Sequence, residues 1–499
     1  MTGTADRSAA LSAAWAEPWA SAVEYWVDAA QRSVLFWDVM RQRGNQDPDK
    51  RPFVVVDPRA GHGPGIGGMK PESQIGRALR AGHPCYFIGF LPVPVAGQTL
   101  EDIGRAQAEF LQIVAERHPK AEGKPCVMGN CQAGWALAML AAVKPGIVGP
   151  MILAGAPLSY WDGPRGKNPM RYLGGLAGGG WPAALSADLG NGRYDGAHLV
   201  QNFESLNPSN TLWSKQYNLY SKVDTEVARY LSFEKWWGGY VQLNANEIET
   251  ITEDLFVGDK LTAGRLETSS GKPIDLRNIT SPIVVFCSQG DNITPPQQAL
   301  GWILDLYDST DDIVANGQTI IYAIHDDIGH LGIFVSGRVA AKEHNEFIQN
   351  IDLIDTLAPG LYEAVIVEKQ ADDPNAALIR GDHVVRFEAR SINHLRALGI
   401  NTAEEDMAFA TAARVSEINR ALYTTVARPF VQAMASEPAA ELGRRLNPLR
   451  LQYSLFSNRN PAMAPIQVAA ERVRENRRPA AADNPFLAFQ DLVSSQIVT

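Results

Sequence analysis

Short apolar runs rich in β-branched side chains recur along the chain at 53–57, 85–90, 125–128, 283–287 and 319–324. Runs of this length, closed off by glycine and polar residues, read as buried strands. The stretch from Trp135 to Leu140 that follows the third run has a helical pattern. Buried strands alternating with helices predict an α/β architecture with a mostly parallel sheet. Residues 15–43 also have a helical pattern and carry Trp15, Trp19, Tyr25, Trp26, Phe36 and Trp37. Beyond residue 340 the pattern is mainly helical, with one hairpin at 361–367 and 384–389.

The third run ends in Gly129-Asn130-Cys131-Gln132-Ala133-Gly134. A cysteine here stands at a strand-to-helix turn, where a nucleophile elbow of the G-x-S-x-G type carries its serine. The turn is so sharp that only very small residues fit two positions to either side, a demand that Gly129 and Ala133 meet. Gly134 beside Ala133 is expected to relieve crowding. A buried structural cysteine is the alternative, since free cysteine packs as a small hydrophobe.

An acid and a base follow in the order that an α/β-hydrolase fold requires. Asp291 stands just past the strand run at 283–287, and His330 follows the run at 319–324. His330 is preferred as base over His325 because Gly329 and Gly332 give its loop freedom to swing over the sheet. The glycine-rich stretch 58–68 occupies the place of the loop that donates one N–H to an oxyanion hole, with Gln132 donating the other. Arg59 and Ala60 are the candidate donors in that loop. His62 is a candidate substrate contact or a brace for the turn. The same stretch lacks the Lys-Ser/Thr ending of a phosphate-binding P-loop, and Pro64 removes a donor.

At 499 residues the chain exceeds a single core of ~250–300 residues. The expected division is an N-terminal helical segment (1–48), core (49–159), an inserted cap (160–275), core again (276–350) and a mainly helical C-terminal region (351–499). The span from Cys131 to Asp291 is too long for one crossover, and its many tryptophans and tyrosines suit a lid. Only residues 46–52 separate the first helical pattern from the first strand, so the two strands that open a full α/β-hydrolase sheet are expected to be missing. The strand at 85–90 then becomes an edge.

A net charge of −10 leaves no broad basic footprint, so no nucleic-acid partner is expected. No span of unbroken apolar residues suits a membrane helix, and residues 1–14 lack the apolar core of a secretory signal. Four cysteines form no disulfide framework, which fits a reducing cytoplasm. No His/Cys cluster has metal-ligand spacing, and no metal or cofactor is expected.

The Cys131 elbow, Gly290-Asp291-Asn292-Ile293-Thr294-Pro295 and Gly329-His330-Leu331-Gly332 resemble the Cys, Asp and His motifs of polyhydroxyalkanoate synthases. The segments 207–213 and 233–236 resemble the cap of those enzymes. The segments 54–65 and 156–161 are similar to an uncharacterised bacterial branch labelled poly(3-hydroxyalkanoate) synthetase-like. That resemblance implies an acyltransferase in which Cys131, His330 and Asp291 act on a 3-hydroxyacyl-CoA thioester, coenzyme A being part of the substrate. A polyester depolymerase or thioesterase with the same residues, and a granule-bound scaffold with a degenerate core, remain the alternatives. Arg165, Lys167 and Arg171 are three cations at the cap entrance, of which Arg165 and Lys167 are the candidate contacts for coenzyme A phosphates. Trp161 is a candidate for the acyl chain. The expected partners are the thioester or polyester chain, a polymer granule surface met by the aromatic 15–43 segment, and a second copy in a homodimer.

Overall fold

The structure, a computed structural model, describes residues 31, 34, 47–370, 382–399 and 401–498. All but two residues of the aromatic 15–43 pattern, and with them its granule-facing role, lie outside the described residues. An eight-stranded sheet organises the rest. Its strands are β1 (Phe53–Val56), β2 (Cys85–Ile88), β3 (Cys126–Asn130), β4 (Met151–Ala154), β7 (Ile283–Ser288), β8 (Thr319–His325), β9 (Gly360–Glu368) and β10 (His383–Ala389). Across the sheet the order is β10-β9-β8-β7-β4-β3-β1-β2. All neighbours are parallel except β10, which returns antiparallel to β9. A separate two-stranded ribbon pairs β5 (Arg193–Asp195) with β6 (Gln242–Asn244).

The central strands read as unbroken apolar runs because both faces are covered: every residue of β1, β3, β4 and β7 is buried. Their side chains still alternate. Val54 and Val56 pack into one hydrophobic layer with helices α2 (Leu100–Arg117) and α3 (Gln132–Val143), while Phe53 and Val55 pack into the other beneath α1 (Gln74–Arg80). Helix α2 begins where Thr99 and Asp102 cap each other's backbone N–H groups, a reciprocal arrangement that satisfies two otherwise orphaned donors.

Parallel strands in this order, with a sharp turn from β3 into α3 and later loops at the ends of β7 and β8, form an α/β-hydrolase fold. Among the described residues the sheet ends at β2, which is only partly buried, and the two strands that open the full fold are absent. The hairpin at 360–389 does not stand apart in a helical tail. It extends the main sheet, β9 pairing in register with β8 from Thr319↔Gly360 to Tyr322↔Glu363.

Within the 160–275 stretch, Phe203, Phe233 and Trp237 line the space at Cys131, beyond the carboxyl end of β3, and the C-terminal helices contact the same stretch. Gly180 donates to Ser416 at 2.9 Å, Asn419 to the Gly178 carbonyl at 2.8 Å, and Tyr423 to Asp188 at 2.8 Å. Further along, Arg450 forks onto Asp195, Tyr453 donates to Glu234, and Arg477 forks onto Asp224. No helix among the described residues is long and apolar enough to cross a membrane.

Candidate functional site

Cys131 is the residue between β3 and α3, with φ 52° and ψ −126°. A non-glycine residue in this region carries roughly 1–3 kcal/mol of strain, which the surrounding structure must hold. Two bonds hold it here. Cys131 N–H donates to the Ala154 carbonyl at 2.8 Å, and its own carbonyl accepts from Gly134 at 2.9 Å. The tight reversal explains Gly129, where a Cβ would lie 2.9 Å from the backbone of Ala133 and Gly134. Gly134 has a different reason from the one expected. A Cβ there would lie 2.2 Å from Cβ of Ala156, so it serves close packing of α3 against the strand-end loop rather than relief at Ala133.

His330 begins the helix His330–Val335 and is buried. Its Nδ1 lies 2.7 Å from Oδ2 of Asp291, while Oδ1 of Asp291 accepts the N–H groups of Ile293 and Thr294, each at 2.9 Å. These contacts fix the carboxylate and, through it, the ring. The other ring nitrogen, Nε2, is buried and has no hydrogen-bond partner among the described residues. Burial alone lowers the His330 pKa, but the charges of Asp291 and of nearby Cys131, with the hydrogen bond to Asp291, outweigh it and push it up to about 10. The helical setting corrects the expectation of a freely swinging loop. Gly332 lies within the helix, and a Cβ there would meet Ile328 at 2.4 Å. His325 faces Asp327 and Glu343 instead.

The structure brings Ala60, His62, Cys131 and His330 together around a cavity of about 130 Å³, lined also by Phe203, Phe233 and Trp237. His62 is buried, its Nδ1 lies 2.7 Å from the Gly63 carbonyl, and its ring packs on Trp236 and Trp237 at 4.9 and 5.7 Å. Burial, helped by the charge on His330, lowers its pKa to about 4, so it is neutral at pH 7. A second cavity of about 420 Å³ leaves Cys131 and Gln132 in another direction, past Tyr160, Leu173, Phe203 and Phe256. The N–H groups of Ala60 and of Gln132, the first residue of α3, have no acceptor among the described residues.

The glycine loop is seated by contacts with the cap. Gly63 donates to the Trp236 carbonyl at 3.0 Å, Val241 donates to the Gly61 carbonyl at 3.0 Å, and a Cβ on Gly61 would lie 2.3 Å from the Gly196 oxygen. Arg59 does not line the Cys131 cavity. Its guanidinium is buried over the Phe90 ring and pairs with Glu247 at 2.6 Å. That pair ties the loop to the start of the helix Ala245–Glu249.

The remaining sequence candidates stand apart from Cys131. Arg165 and Lys167 are exposed and line neither cavity. Trp161 donates to the Val257 carbonyl at 3.0 Å and stacks on Phe409, which makes it a packing residue of the cap root. Arg171 is not an entrance cation, because it is buried between the rings of Tyr172 and Phe409. The cation that does line the small cavity is Lys215, held by Glu234 at 2.6 Å and Glu204 at 3.8 Å. Its sequence neighbourhood gave no sign of this, since both partners arrive from other cap helices.

The model of the family described as "Protein of unknown function (DUF3141)" matches residues 45–499. An uncharacterized protein in the ackA 5' region of Rhizobium meliloti is 57% identical over 522 residues, covering 96% of this chain and 71% of that protein. The poly(3-hydroxyalkanoate) polymerase subunit PhaC of Haloarcula marismortui is 23% identical over 287 residues, 55% of this chain. The match spans about half of that subunit's length, 54%. A thermophilic esterase from Thermogutta terrifontis aligns over 61% of this chain and 91% of its own, with a TM-score of 0.35 and 13% identity. On the extent of the family match, this chain belongs to the DUF3141 family.

Proposed function

We propose that this protein is an acyltransferase that carries acyl groups on Cys131, with a 3-hydroxyacyl-CoA thioester as donor and a polyester hydroxyl as acceptor. The observation that carries the reading is the line from Asp291 through His330 toward Cys131 in its strained turn. The distant likeness to PhaC supports the choice of substrate.

In this mechanism the proton of the Cys131 thiol rests on His330 Nε2, which its raised pKa suits, and the Cys131 sulfur attacks the thioester carbonyl. The N–H groups of Gln132 and Ala60 stabilise the oxyanion, each such donor being worth ~3 kcal/mol. Collapse breaks the bond to the coenzyme A sulfur, which leaves with the proton held by His330. The acyl group then sits on Cys131 as a thioester, nearly as activated as in the donor. His330 next removes the proton of an incoming hydroxyl, whose oxygen attacks the acyl carbonyl and restores Cys131. No cofactor takes part. The apolar second cavity suits the acyl chain, and a cytoplasmic, granule-associated setting fits such a reaction.

The test is purified protein with 3-hydroxybutyryl-CoA and a thiol reagent that reports free coenzyme A. Release by wild type and its loss in Cys131→Ala support the nucleophile. Polymer growth in the same tube identifies a synthase, whereas release with only free acid identifies a thioesterase. Equal silence of wild type and variant, with both binding polymer granules, identifies a scaffold instead.

A further inference from the structure

We propose that the buried amide pair Gln74–Asn130 is a positioning element for Cys131, holding the elbow in register with the glycine loop and, through His344, with the helix that begins at His330. This rests on the reading of Cys131 as nucleophile.

Asn130 is the last residue of β3, immediately before Cys131, and Gln74 is the first residue of α1. Both side chains are fully buried. Their amides bond reciprocally, Gln74 Nε2 to Asn130 Oδ1 at 2.8 Å and Asn130 Nδ2 to Gln74 Oε1 at 2.7 Å. Two apolar side chains would fill this space without desolvating four polar atoms, so the pair is not explained by stability alone. What a satisfied buried network supplies is one fixed arrangement.

The glycine loop rests directly on the pair. Gly67 has φ +80°, and a Cβ there would lie 2.3 Å from Gln74 Oε1 and 3.1 Å from Asn130 Nδ2. The Gly67 carbonyl also accepts from Ile75 N–H at 3.0 Å. On the other side, Gln74 Nε2 is 3.3 Å from Nε2 of buried His344, and that same ring nitrogen is 2.8 Å from the Ile333 carbonyl. The shorter contact makes His344 Nε2 the N–H donor. Exchanging O and N in both amides preserves the reciprocal pair and turns Gln74 Oε1 toward that N–H, which the Ile333 carbonyl and Gln74 then share, while His344 Nδ1 has no hydrogen-bond partner among the described residues. Ile333 lies one turn along the helix from His330. Elbow, glycine loop and His330 helix thus meet at one polar cluster.

The test compares Gln74→Leu, Asn130→Leu and the double variant. Each single change strands one buried amide, while the double removes both and recovers thermal stability. Three quantities are measured: the thermal midpoint, kcat and KM for 3-hydroxybutyryl-CoA, and the rate of Cys131 alkylation by iodoacetamide at fixed pH, followed on the Cys131 peptide. The expected result is a double variant with a near wild-type midpoint, KM within ~2-fold, kcat reduced ~10- to 100-fold, and Cys131 alkylation slowed several-fold at fixed pH. A double variant with wild-type kcat and alkylation overturns the proposal. If the leucine pair does not fold, Gly67→Ala disturbs the same cluster from above, and unchanged kcat there overturns it equally. Failure of the nucleophile reading looks different: Cys131→Ala would keep wild-type turnover, whatever the pair does.

Discussion

Gly155 passes directly beneath His330, at φ +53°, so close that a Cβ would lie 3.4 Å from His330 Cε1 and 2.9 Å from Phe334 Cζ. The glycine therefore sets the height of the imidazole above the sheet. Gly155→Ala is expected to lift the ring and to strain the backbone by ~1–2 kcal/mol. Turnover of the thioester should fall ~10- to 100-fold, because an ångström of misplacement at a reacting group has that effect. Steady-state kinetics with a urea melt checks both, and full activity in a folded variant would show that His330 tolerates displacement.

Asp291→Asn separates orientation from charge. Asparagine can keep an oxygen toward Ile293 and Thr294, but it then turns an N–H toward His330 Nδ1 and selects the wrong tautomer. We expect a loss of ~10³-fold or more in kcat with a thermal midpoint close to wild type. A variant within a few-fold of wild type would remove Asp291 from the reaction.

The pH dependence of stability carries a signature of His330. Its pKa is raised from 6.5 to about 10 by the fold, so across that window the native state holds a proton that the unfolded chain has lost. The stabilisation is fully present below pH 6.5 and is lost as pH rises toward 10. The difference in thermal midpoint between wild type and His330→Asn should therefore shrink steadily over that range. A constant difference would mean that His330 is neutral in the folded protein.

The Arg59–Glu247 pair is buried at both ends, and Arg59 Nε and Glu247 Oε1 have no hydrogen-bond partner among the described residues. Burial raises the Glu247 pKa even against the pull of Arg59. Arg59→Met alone leaves the carboxylate uncompensated and is expected to destabilise by ~3–5 kcal/mol in urea unfolding. Arg59→Met with Glu247→Leu should recover most of that loss. Non-recovery would show that the pair is needed to seat the glycine loop and not merely to balance charge.

What the sequence made legible follows from how local each constraint is. The elbow was readable because Gly129 and Cys131 answer to each other across two residues, and Asp291 and His330 because each follows its own strand. The hairpin was readable as a hairpin, but not as part of the main sheet, since nothing in its pattern names β8 as a neighbour. Arg171 looked like any exposed cation, because Phe409, which covers it, lies in a distant helix. Gln74 carried no sequence signal at all: a single glutamine at a helix start resembles any solvated one until Asn130 is placed opposite it.

The contacts from Ser416 to Arg477 lace the cap to the last third of the chain from behind. Tilting the whole cap would break this series together, so a wide hinged opening is disfavoured. On the acyltransferase reading, passage through the small cavity then depends on local excursions near Asn210–Ser214 and of the Phe233 and Lys215 side chains, while the second cavity reaches Cys131 separately. Motions of that size run on nanosecond to microsecond timescales, faster than domain closure. On the same reading, an entrance of this kind is expected to favour a slender chain entering end-on over a bulky or branched one.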